Sequence, residues 1–121
     1  MRPFQRPVLL AASAVLFGVT PSVAQQLCKP AVTVTDAHIS ETRNMQRTWS
    51  AALTVDASRC SATSGQFEVE FTRLKENSPD MQFIERFTWV PGRTRISLDM
   101  WWDEWLQDYR IGRIAPCPCR N

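Results

Sequence analysis

Apolar and polar residues alternate with a period of two along several stretches of the chain, the spacing expected of strands with one dry face. Residues 46–56 place Trp49, Ala51, Leu53 and Val55 on one side and Ser50, Ala52, Thr54 and Asp56 on the other. Residues 66–75 repeat the pattern, with Phe67, Val69 and Phe71 set against Glu68, Glu70 and Thr72. Residues 93–102 put Thr94, Ile96, Leu98, Met100 and Trp102 inside, opposed by Arg95, Ser97, Asp99 and Trp101. Residues 81–90 carry Phe83, Phe87 and Trp89 in phase, but Glu85 shares their side and Ile84 takes the other, so the inward face is not assigned. Val32 and Val34 mark an early strand and residues 106–114 a late one, with residues 103–106 also compatible with one helical turn.

Turn residues punctuate these runs. In Val90-Pro91-Gly92-Arg93, proline presets φ and glycine accepts the positive φ of a type II turn, which predicts a hairpin. Residues 76–80 (Glu-Asn-Ser-Pro-Asp) mark another turn, and residues 58–65 read as a polar loop containing Cys60. Short strands with turns every ~8–12 residues predict an all-β, antiparallel sandwich of about six to seven strands.

Residues 108–114 (Asp-Tyr-Arg-Ile-Gly-Arg-Ile), following residues 91–98, resemble the back half of a fibronectin type III or immunoglobulin-like domain. The resemblance implies an immunoglobulin-like arrangement of the sandwich, with Trp49 in its core and Tyr109 as a candidate tyrosine corner. It extends to architecture only, because the late strand lacks the cysteine of an antibody-type domain.

Residues 1–24 have the organisation of a secretory signal: Arg2 and Arg6, an apolar run from Val8 to Val19, then small residues from Pro21 to Ala24. The apolar run is too short for a bilayer span, which needs roughly 20 residues, so no transmembrane segment is expected after cleavage. The domain is therefore residues 25–121, expected in the periplasm or secreted. The full chain has 14 basic and 12 acidic residues, and loss of Arg2 and Arg6 leaves 12 against 12. A neutral domain without a basic run excludes nucleic acid as the partner.

Four cysteines in so short an exported chain predict two disulfides. Cys117 and Cys119, separated by a single proline, cannot reach disulfide geometry with each other. Each pairs with Cys28 or Cys60, leaving Cys28–Cys117 with Cys60–Cys119, or Cys28–Cys119 with Cys60–Cys117. Up-and-down strand parity puts all four at one end of the sandwich. The competing chemistry is a metal held by thiolates of the Cys-Pro-Cys tail with Cys28, Cys60 or His38, although the spacing fits no common zinc pattern.

His38, the one histidine, has no nucleophile or orienting group at a spacing that singles it out. Asp99, Asp103, Glu104 and Asp108 could pair for acid–base work, but a small sandwich seldom provides the cleft, and solvated charge is the simpler reading. Residues 100–105 (Met-Trp-Trp-Asp-Glu-Trp) carry more information. Trp101 and Trp105, with Arg95 and Arg110 nearby, form a candidate binding surface, since exposed aromatic rings anchor protein interfaces and stack on sugars. The sequence thus predicts a non-catalytic interaction module of the cell envelope, binding a protein or a glycan and requiring no cofactor. The alternative is a small metal-binding, redox or hydrolytic protein using His38, the acidic stretch or the Cys-Pro-Cys tail.

Overall fold

A computed structural model describes residues 26–121; the signal assigned to residues 1–24 lies outside them. The described residues form β1 (Leu27–Cys28), β2 (Ala31–Ile39), β3 (Gln46–Asp56), β4 (Gly65–Lys75), β5 (Met81–Trp89), β6 (Gly92–Trp101), β7 (Glu104–Ile114) and β8 (Cys117–Pro118), with no helix. Two antiparallel three-stranded sheets, ordered β2-β3-β6 and β5-β4-β7, are joined by a two-stranded β1-β8 ladder. The all-β, antiparallel, disulfide-stapled architecture expected from the sequence is what forms.

The alternation explains how the layers meet. Trp49, Ala51, Leu53 and Val55 of β3 face Phe67, Val69 and Phe71 of β4, and all seven are buried. Trp49 bridges the sheets edge-on, with its ring 4.9 Å from Phe71 and 5.5 Å from the half-buried Tyr109. Each large side chain buried this way contributes about 1.5–3 kcal/mol. The unassigned face of β5 resolves in favour of its aromatic residues: Phe83 stacks on Phe71 and Phe87 lies beside Phe67, while Ile84 points out to solvent. Glu85 keeps the inward parity but only half-buries at the rim of an edge strand. Trp89 closes the core over Gly65, its cross-strand partner. A Cβ at Gly65 would lie 2.7 Å from the indole nitrogen, so glycine is required for this close approach.

Two local expectations are corrected. The turn at Val90–Arg93 has the anticipated glycine, with Gly92 at φ +98°, but it does not close a hairpin. β5 pairs with β4 and β6 pairs with β3, so this turn carries the chain from one sheet to the other. Residues 103–106 are not a helical turn, because β7 begins at Glu104 and runs along β4. Residues 76–80 do connect a pairing hairpin, with Asn77 at φ +58°.

At one end lies the cysteine cluster, on the side that strand parity predicts. Residues 117–119 run between β1 and the segment near Cys60, with Cys28 opposite Cys117 and Cys60 opposite Cys119 along the backbone. Ser61 N–H donates to the Pro118 carbonyl (2.9 Å) and Cys119 N–H to that of Gln26 (3.2 Å). The disulfides cross this pairing: Cys28 bonds Cys119 and Cys60 bonds Cys117, with Cα separations of 5.0 and 5.6 Å. This decides between the two open pairings. At the same end Asp56 accepts the Ser58 N–H (3.0 Å), and bonding to Ser58 holds its carboxyl below the ordinary value. The anion is thereby favoured in the folded chain, and this support for the turn after β3 is lost as pH falls through the lowered value.

Candidate functional site

The end remote from the cysteines is built differently. β3 and β2 are joined there by a two-residue hairpin in which Arg43 and Gln46 exchange backbone hydrogen bonds of 2.9 Å each way. Its central residues, Asn44 and Met45, both have positive φ (50° and 64°), the conformation of a type I′ turn. Asparagine tolerates this backbone well, whereas glycine is the usual occupant of the second position, so methionine there carries a cost of about 1 kcal/mol. Non-glycine residues held in this region are enriched at functional sites. Met45 projects from the hairpin with 62% of its surface exposed.

The β6–β7 turn lies against this hairpin, because Trp102 N–H donates to the Met45 carbonyl at 3.0 Å. Trp101, Trp102 and Trp105 are exposed by 56%, 46% and 47%. The inward position expected for Trp102 is therefore wrong: β6 ends at Trp101, and Trp102 belongs to the turn, where period-two alternation no longer applies. Trp101 faces outward as expected. Trp105 lies under the guanidinium of Arg47, 5.4 Å from its ring centre. Arg47 is oriented by donating from Nε to Thr42 Oγ1 (2.9 Å).

One buried carboxylate organises the turn. Glu104 is 8% exposed; its Oε1 accepts the Trp101 N–H at 3.0 Å and its Oε2 meets Arg73 at 3.1 Å. The reading of the acidic stretch as solvated charge thus fails at Glu104. Lys75 and Asp103 form a looser pair at 3.7 Å nearby. Residues 45, 47 and 73 were not singled out by sequence reasoning. Arg73 was the available signal, because it continues the inward series Phe67, Val69, Phe71, and an inward charge demands a partner.

The four residues of the predicted surface do not form one patch. Arg95 lies on the outer face of β2-β3-β6, where its guanidinium donates to Ser50 Oγ (3.3 Å). Arg110 lies on the outer face of β5-β4-β7 and pairs with Glu70, beside a shallow concavity of about 310 Å³ lined with Thr72, Gln82, Ile84 and Asp108. Only Trp101 and Trp105 share the aromatic end, where Met45 and Trp102 complete the group.

His38 does find a hydroxyl: Nε2 lies 3.2 Å from Ser50 Oγ, and Nδ1 lies 3.3 Å from the Asp36 carbonyl. The pair sits on an exposed sheet face, with Ser50 in the central strand between β2 and β6. Backbone N–H groups there serve the two ladders, and the nearby cation is Arg95, so the pair lies open to water. All four cysteines are in disulfides, so neither sulfur of Cys-Pro-Cys is a thiolate able to hold a metal. Among the described residues, no helix is long and apolar enough to cross a membrane. No protein-family model matches the chain, and no curated protein or solved structure was found to be similar to it.

Proposed function

We propose that the chain is a non-catalytic interaction module, exported to the periplasm or beyond, that binds an envelope protein through its aromatic end. The observation carrying this reading is the grouping of Trp101, Trp102, Trp105 and Met45, each roughly half exposed or more, around one turn and one hairpin. Tryptophan and methionine contribute most of their binding energy when a partner covers them, and a patch left open on an otherwise well-packed domain favours such a partner. The two disulfides suit an oxidising compartment. Interlocking of β3–β6 with β4–β7 supports an immunoglobulin-like arrangement, a scaffold that presents its loops at the two ends of the sandwich.

The test is capture of envelope proteins by the oxidised chain, compared with a Trp102→Ala/Trp105→Ala variant. Loss of the captured protein by about tenfold or more is expected, with the melting temperature moved by only a few degrees because both rings are exposed. Equal recovery would overturn the reading, as would retention on glycans in place of protein.

A further inference from the structure

β6 is an edge strand: it pairs with β3 over ten consecutive residues without a register shift, and among the described residues no strand pairs with its other side. Regular edges of this kind are templates for strand addition. The edges of β2 and β7 are interrupted by bulges, one in β2 near Asp36 at φ +54° and two in β7. β5 is regular, but its outward residues Gln82, Ile84, Arg86 and Thr88 include no carboxylate to oppose Arg86 in a second copy.

The residues along β6 read as a palindrome of complementary chemistry about Ser97. Arg93, Arg95, Ser97, Asp99 and Trp101 face outward and are exposed; Thr94, Ile96, Leu98 and Met100 face inward. If a second β6 runs antiparallel about a two-fold axis at Ser97, Arg95 of each copy lies opposite Asp99 of the other. Arg93 then lies opposite Trp101, a cation over an aromatic ring, and the two Ser97 hydroxyls face each other. On the inner side Ile96 meets Leu98 and Thr94 meets Met100, and no like charges coincide at any directly opposed pair. The reciprocity of these pairs is what an isologous interface requires.

We infer that β6 is the interface of a homodimer, in which two β2-β3-β6 sheets join edge to edge as one six-stranded sheet. A second copy also covers the open mouth between β5 and β6, a concavity of about 200 Å³ whose apolar wall is Met81, Phe83, Leu98 and Met100. This self-association differs from the partner binding proposed above, although Trp101, at the end of β6, belongs to both surfaces. Trp102 and Trp105 lie off β6, so each property can fail without the other.

Charge reversal tests the pairing. The oxidised chain is expected to sediment as a concentration-dependent dimer. Arg95→Asp and Asp99→Arg should each weaken dimerisation by about tenfold or more, because each sets like charges opposite one another twice. The double reversal should restore it, and an equimolar mixture of the two single variants should form a heterodimer in which every charge is again opposed by its complement. Because both side chains are exposed, folding of the variants is checked by unchanged melting temperatures. A chain that stays monomeric at millimolar concentration, a dimer indifferent to the single reversals, or a mixture that fails to associate would each overturn the assignment.

Discussion

The two ends of the sandwich solve the problem of holding a small domain together in opposite ways. At the cysteine end, two disulfides cross a short ladder, three of the four cysteines are buried, and Trp89 lies pressed over Gly65. At the aromatic end there is no covalent tie; the turn is fixed by Glu104, by the Trp102–Met45 hydrogen bond and by ion pairs, while three tryptophans remain open to solvent. The contrast shows stability concentrated at one end and display at the other, with the β3–β4 core between them.

The largest expected effect breaks the covalent end. The Cys28–Cys119 bridge spans 91 residues and Cys60–Cys117 spans 57. Closing loops of these lengths is worth about 4–5 kcal/mol for each bridge taken singly in the chain-entropy picture. A Cys28→Ser/Cys119→Ser variant should therefore lose at least about 10 °C of melting temperature. Calorimetry showing a loss of only a degree or two would mean that the long ladders alone hold this end. A smaller loss follows at the other end from Glu104→Ala, which strands Arg73 and frees the Trp101 N–H. Denaturant unfolding should read about 2–4 kcal/mol of destabilisation, accompanied by altered tryptophan fluorescence. The smallest effect has the opposite sign: Met45→Gly relieves a positive φ and should stabilise the chain by about 0.5–1 kcal/mol while weakening partner capture. A variant that gains stability and keeps full capture would remove Met45 from the display surface.

Much of this architecture was legible because strands with one dry face write their parity into the sequence, as Trp49 to Val55 and Phe67 to Phe71 do. Parity also located the cysteines at one end. What the alternation could not report was pairing between distant strands: Pro91-Gly92 has the same local chemistry whether the flanking strands pair with each other or separate into two sheets. Extending the period past the end of β6 misplaced Trp102. The aromatic end was half legible, since Trp101 and Trp105 stood out by type. Met45 joins them only through a hairpin whose methionine gives no local turn signal, and Glu104 through a contact with Arg73 on a strand 31 residues away.

The crossed disulfides also set an order of events. A chain is made from its N-terminus, so Cys28 and Cys60 exist together, with no other cysteine to bond, throughout the addition of residues 61–116. The bond they could form with each other is absent from the folded protein, in which each is joined to a cysteine of residues 117–119. Early oxidation therefore creates a linkage that later thiol exchange must undo, and a chain cut short before Cys117 can form neither native bridge. Neither native bridge can close until residues 117–119 are present, and these follow all of β2 to β7 along the chain.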